Sequence, residues 1–279
     1  MITRTSAGKP TGSGTAMRHP ARFPAVGSSV VHLGPGLVVV LVALTALGAA
    51  VGRLSGLDQQ RPIVIAALRA TAQLAAVSAV LVAVVRSLAL SALFVALMLG
   101  VAAVTSAARV TGRSLRHSGA RRRAVTTGTA IVAGAAPVVA LVLASGSVPL
   151  RGEAVIPIAG IIIGGAMTAT SLAGRRLRDE LRQRAGEVDA ALALGFLPRD
   201  AVLEVARPVA ATALVPALDQ TRTVGLVTLP GAFVGVLLGG GSALQAGAAQ
   251  LLVLVGLLAA ESISVWVVTE EVARGLLDD

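Results

Sequence analysis

The sequence predicts an all-α, polytopic integral membrane protein of about seven transmembrane helices, with a helical coupling segment on the cytoplasmic side. Three observations carry this reading. Hydrophobic residues make up 55% of the 279-residue chain and charged residues only 14%, against about a quarter charged in a soluble domain whose surface faces water. The apolar residues arrive in blocks near the roughly 20 residues needed to cross a hydrocarbon core, rather than at alternating or helical spacing. The basic residues gather in the gaps between those blocks, as topology determinants do.

The apolar blocks run approximately over 36–52, 62–85, 88–108, 124–146, 154–173, 222–240 and 247–268. Residues 36–275 form the transmembrane body; residues 1–35, rich in Gly, Pro, Ser, Thr and Arg, read as a disordered tail. A start at Met17 or later is the alternative for that tail. The first block is short, and Gly34-Pro35-Gly36 marks its entry. Residues 207–221 contain Pro208 and Pro216, and proline costs about 3 kcal/mol inside a helix. A broken or interfacial helix is expected there instead of an eighth span. Pro230-Gly231 falls inside the sixth block and predicts a kink, either a hinge or a fixed packing feature.

Orientation follows from arginine counts in the connections. Arg109, Arg113, Arg116, Arg121, Arg122 and Arg123 crowd one loop, and Arg175, Arg176, Arg178, Arg182, Arg184, Arg199 and Arg207 another. The short connections at 86–87, 147–153 and 241–246 offer Arg86, Arg151 and none. The crowded loops are therefore placed in the cytoplasm of a cell (inner or plasma) membrane, with the C-terminus inside and the N-terminus outside. Arg4, Lys9, Arg18 and Arg22 of the tail oppose that assignment, and a later start removes the conflict.

Composition excludes several chemistries. There is no Cys, so thiolate ligands, disulfides and cysteine nucleophiles are absent. His19, His32 and His117 all lie outside the apolar blocks. A metal handled within the membrane would meet oxygen donors or a Met sulfur. The net charge of +10 invites a nucleic-acid reading, but aromatics are 2% of the chain, with no Tyr to stack bases. No nucleic-acid partner is expected; the partners are lipid and protein. The one lysine, Lys9, precedes Pro10, so the phosphate-loop pattern G-x-x-x-x-G-K-[ST] does not occur. The chain itself binds no cofactor on this reading and is not an enzyme.

Segment 174–208 is the most informative stretch. Leu177, Leu181, Ala185, Val188 and Leu192 fall three or four apart, giving an otherwise polar helix one apolar face. Gly195 ends that helix, Leu197-Pro198 turns the chain, and a second short helix from about Arg199 stops before Pro208. Nothing in the sequence obviously covers the apolar face, which fits either a membrane surface or a groove on a partner. Gly160 and Gly164, and Gly128 and Gly134, are small residues suited to close packing in lipid, within the chain or across a dimer seam.

Asp189-Ala190-Ala191-Leu192-Ala193-Leu194-Gly195 resembles the E-A-A-x-x-x-G signature of ABC-transporter permeases, with Asp for Glu. The spacing to Pro208 is kept, while Arg207 departs from the expected Leu. Val155-Ile156-Pro157-Ile158-Ala159-Gly160, continuing to Gly165-Ala166-Met167, resembles a segment of the FetB-type iron-export permease family. So does Asp219-Gln220-Thr221-Arg222-Thr223-Val224-Gly225-Leu226-Val227-Thr228-Leu229-Pro230-Gly231, and Arg69 with Gln73 also fits. The resemblance covers about residues 37–270, and the family has plant relatives implicated in aluminium tolerance. It implies a permease, paired as a homodimer with a cytoplasmic ABC ATPase that carries ATP and Mg, exporting iron or another metal. Glu187, Asp189, Ala190, Ala191, Gly195 and Pro198 would contact that ATPase, with residues 187–200 moving as it closes.

Charged or coordinating residues in or near the spans are the candidates for translocation or gating: Arg69, Gln73, Met167, Asp219, Arg222, Pro230 and Glu261. Charge in hydrocarbon is costly, so such groups face a bundle interior or a wet cavity. Asp219 and Arg222, three apart near the cytoplasmic boundary, also suit a helix-end ion pair, and Arg69 is placed to neutralise Glu261. Glu261, Asp219, Gln73 and Met167 are the available metal donors, and oxygen ligands favour Fe or Mn. Glu261 departs from the small polar residue the resemblance leads one to expect. The competing readings are an ion-coupled secondary transporter using Asp219 or Glu261, and an intramembrane enzyme or scaffold. The first lacks a visible internal repeat; the second lacks a His-Glu-x-x-His motif, a nucleophile elbow and Cys.

Overall fold

The computed structural model describes residues 34–112 and 119–277. The tail residues before Gly34, with the alternative start and His19 and His32, lie outside the described residues, as do Arg113, Arg116 and His117. Among the described residues the fold is helical, with one isolated bridge between Val224 and Thr228. The helices are α1 (Pro35–Leu54), α2 (Gln60–Val84), α3 (Leu88–Thr111), α4 (Ala120–Ala144), α5 (Gly152–Gln183), α6 (Ala185–Ala193), α7 (Pro198–Ala211), α8 (Val215–Thr223), α9 (Gly231–Leu238) and α10 (Ala243–Ala273). A 3-10 turn, Thr212–Leu214, joins α7 to α8.

Seven helical runs are long and apolar enough to cross a membrane. The number agrees with the sequence expectation, but one member differs. The sixth run is Pro198–Thr223, not 222–240. Pro208 does not stop α7, and the prolines instead bracket the 3-10 turn. Prolines are tolerated in such helices because neighbours re-satisfy the freed backbone groups. Here Ala206, Ala210, Ala213 and Ala217 are buried, and their packing outweighs the lost hydrogen bonds. The stretch 222–240 fails as a span for local reasons. Gly225 turns at φ +81°, Leu229 precedes a proline and so disfavours helix, and Pro230 is extended at ψ 163° as the N-cap of α9. Pro230-Gly231 therefore starts a short helix rather than kinking a long one. With 8 residues, α9 is about 12 Å long, too short to cross.

The core is a bundle of α3, α4, α5 and α10, with α7 packed on α5 and α10. Small residues let these helices approach. A Cβ on Gly134 of α4 would collide with Ser264 Oγ and the Ala260 carbonyl of α10, and one on Gly165 of α5 with Leu257 and Glu261. Gly128 faces Ala103 and Gly160 faces Met98 within the same chain, whereas Gly164 has open space beside it. The α1–α2 hairpin is different: Ile63 packs on Gly48 and Gly52, yet hardly any of either helix is buried. α2 reaches the bundle mainly through α3.

Arg199 at the start of α7 pairs with Glu270 near the end of α10. The arginine-rich connections thus share one end of the bundle with the end of α10. Thr223, the α9 elbow and the start of α10 lie at the other.

Candidate functional site

At the arginine-rich end, α5 and α10, of 32 and 31 residues, are each about 46–48 Å long, so they overrun a hydrocarbon core of about 30 Å. The overrun of α5 carries the apolar stripe, and part of it is covered by the chain itself. Leu177 is fully buried and Leu181 half-buried against Ala206, Ala210 and Val272. Val188 lines a cavity of about 380 Å³ with Arg178, Asp189, Val202 and Val272. The expectation that nothing in the chain covers this face is corrected: α7 and α10 cover its first half.

The helix breaks at Arg184, where φ −110° and ψ 26° depart from helical values. Arg184 then grips Glu187 of the next turn, Nε to Oε1 at 2.6 Å, and reaches Glu180 at 3.5 Å. The hydrogen bond from Arg184 holds the Glu187 carboxyl below its ordinary 4.5, against an opposing desolvation. α6 ends in a Schellman arrangement: Gly195 N–H donates to the Leu192 carbonyl at 2.9 Å and Phe196 N–H to that of Ala191 at 3.1 Å. Gly195 sits at φ +88°, a conformation that costs an L residue about 1–2 kcal/mol. Leu197 is then extended and Pro198 opens α7 at its first position. The result is a tip on which Leu194 is 81%, Leu197 68% and Phe196 46% exposed, with Asp189 and Ala190 exposed beside it and Ala191 half-buried. Arg199 fixes the tip's base through two hydrogen bonds to Glu270, at 2.9 and 2.7 Å.

A second constellation lies inside the bundle. Glu261 is 7% exposed, with Oε1 against Gly165. Towards the arginine-rich end follow Ser264 beside Gly134, the Ser106–Ser171 hydroxyl pair at 3.0 Å, and buried Glu271, hydrogen-bonded to Thr129. Ser264 Oγ, Thr170 Oγ1 and Glu271 Oε2 have no hydrogen-bond partner among the described residues. This is a polar seam through an otherwise apolar core.

The remaining predicted residues scatter. Arg69 and Gln73 are exposed on α2, and no ion pair joins Arg69 to Glu261, correcting that expectation. The cause is the peripheral hairpin, which keeps α2 off α10. Met167 lines an apolar cleft of about 320 Å³ with Val77, Phe94 and Met98. Asp219 and Arg222 do pair, at 3.6 Å and largely exposed, but at the end opposite the arginine-rich loops, not near that boundary. Among the described residues no group of three or more His, Cys, Asp or Glu could hold a metal ion. Sequence reasoning missed the Arg199–Glu270 tie and Glu271. A pair of acids closing an apolar block was the available signal, but their partners lie far away in sequence.

These features define a polytopic α-helical membrane protein with a helical elbow projecting from one end. The chain belongs to the uncharacterised protein family UPF0014, whose family model matches residues 36–277. Over 161 residues it is 37% identical to the UPF0014 membrane protein STAR2 of Oryza sativa subsp. japonica, covering 58% of this chain and 56% of that one. It is 35% identical to Protein ALUMINUM SENSITIVE 3 of Arabidopsis thaliana, covering 58% of each. Over 135 residues it is 36% identical to the probable iron export permease protein FetB of Escherichia coli (strain K12), covering 48% of this chain and 52% of that protein. The chain thus spans little more than half the length of these curated relatives. No solved structure matches it.

Proposed function

We propose that the chain is the membrane-spanning permease subunit of an ABC transporter that exports iron or another metal, driven by a separate cytoplasmic ATPase. The observation that carries this is the elbow. An exposed apolar tip, bearing the D-A-A-x-x-x-G match, stands on a long helix that continues into the bundle core. An exposed apolar surface suits a groove on a partner, and the name of the Escherichia coli relative supports export of a metal. The arginine-rich end, with the C-terminus, faces the cytoplasm of the cell membrane on this reading. Two copies would assemble with two ATPases, and ATP and Mg would belong to the partner.

Affinity capture of the tagged chain should recover an ATPase encoded beside its gene. Leu194→Asp with Leu197→Asp should cut recovery at least tenfold, and deletion of residues 187–197 should abolish it. Undiminished recovery from both would defeat the docking. Cellular metal content with and without that ATPase tests the cargo.

A second reading rests on Glu261, which is buried in α10 without a hydrogen bond or ion pair among the described residues. A carboxyl so placed suits ion coupling. Efflux abolished by a protonophore and by Glu261→Gln, but unaffected by loss of the ATPase, would favour it.

A further inference from the structure

Two helices, α2 and α5, leave a common point at the end of the bundle away from the arginine-rich loops. The link from α2 to α3, residues 85–87, is pinned there. Ser91 is buried, and its hydroxyl is shared between the Val84 carbonyl at 3.1 Å and the Ser87 carbonyl at 3.0 Å. Gly152, the first residue of α5, lies so close to Val85 and Ser91 that a Cβ on it would collide with both. Beyond this pivot α2 parts from the bundle: of its residues only Val84, the last, is buried. α1 is bound to α2 through Ile63, packed on Gly48 and Gly52. The hairpin is an arm fixed at one end.

Between the arm, α3 and α5 lies the apolar cleft of about 320 Å³, with Val77 on one wall and Gly160 and Gly164 on the other. Both walls can be measured from the pivot. Along α2, Val77, Gln73 and Arg69 stand about 11, 17 and 23 Å from Val84. Along α5, Gly160, Gly164 and Thr168 stand about 12, 18 and 24 Å from Gly152. Each set is spaced by four residues, so two ridges face each other turn for turn. Gln73 and Arg69 are exposed within a span, where polar groups facing hydrocarbon are costly. At their depths α5 offers open space beside Gly164 and the exposed hydroxyl of Thr168. That hydroxyl donates to the Gly164 carbonyl at 2.9 Å, and its oxygen can still accept.

We propose that the α1–α2 hairpin is a hinged arm that closes on α5, seating Val77, Gln73 and Arg69 on Gly160, Gly164 and Thr168. The arm turns about the pinned link at 85–87. Closure fills the cleft with side chains of α2, and the two glycines allow the close approach. Gln73 and Arg69 exchange hydrocarbon for the Thr168 hydroxyl, to which the amide or the guanidinium donates. The open form leaves both on the lipid side. This motion belongs to the hairpin and does not depend on the transport reading.

The chain has no cysteine, so a nitroxide pair reports the opening directly. Leu57→Cys labels the arm tip and Arg175→Cys the overrun of α5, both exposed at the arginine-rich end. In lipid nanodiscs, pulsed electron spin distance measurements on labelled chain diluted with excess unlabelled chain should give a shorter, closed population and a longer, open one. Arg69→Leu with Gln73→Leu should deplete the shorter one about fivefold, the weight of one hydrogen bond. Thr168→Val should deplete it to a similar degree from the other side. All three substituted positions are exposed, so the open form keeps its packing. A single distance in the parent chain, or a shorter population indifferent to these variants, would overturn the proposal. So would a shorter population that vanishes on dilution, which would place the contact between two copies.

Discussion

At the residue scale, glycines divide into those that meet their neighbours and those that do not, and the two kinds predict opposite outcomes. Gly134→Ala drives a methyl into Ser264 and the Ala260 carbonyl. Overpacking of this kind costs about 1–3 kcal/mol, so thermal unfolding in detergent should shift to lower temperature. Gly164→Ala meets nothing within 4 Å in the chain and should leave the transition unchanged. A loss at Gly164 would point to a second copy packed there. Glu187 gives a pH prediction. Its carboxyl is held below 4.5 by the hydrogen bond from Arg184, so the grip is intact above that range and is released as pH falls through the depressed value. Carboxyl titration by NMR should show this low value, and Arg184→Gln should restore the ordinary one.

At the element scale, the Arg199–Glu270 pair clamps the start of α7 to the end of α10 across 71 positions of sequence. Glu270 is only 16% exposed but Arg199 is 43%, so solvent screens the pair. A double-mutant cycle to alanine should return a small favourable coupling that shrinks as salt is added. The same scale shows what was legible in the sequence. The first five spans and α10 could be read because long apolar blocks flanked by arginine have few alternatives in lipid. The Gly195 stop and Pro198 start could be read because only particular residues suit those backbone angles. The sixth span could not, since the cost of Pro208 is local while the packing of Ala206, Ala210 and Ala213 is tertiary. Block hydropathy likewise hid the elbow at Gly225 and Pro230. The polar seam was half legible: Glu261 stood out as a charge in a span, but Ser106, Ser171, Thr129 and Glu271 converge only when four helices pack.

At the scale of the whole molecule, the exchanged sixth span becomes a topology experiment. The chain has no cysteine, so single cysteines at exposed positions report their side of the membrane to an impermeant maleimide. Leu194→Cys should label from one side only and Leu226→Cys from the other. Leu226 is 90% exposed in the turn beyond Thr223; a span over 222–240 would have buried that position in hydrocarbon and left it unlabelled.

α10 is the helix on which α4, α5, α7 and α9 all pack, and it is synthesised after all four of them. At translation rates of about 5–20 residues per second, the interval between completion of α5 and of α10 is roughly 5–18 s. During that interval Thr129 of α4 sits on a helix already made, without its partner Glu271 of α10. Biogenesis therefore passes through a stage in which polar faces must be sheltered by lipid, by one another or by the insertion machinery. A ribosome stalled before Ala243 would leave a full set of flanking helices with nothing to close around.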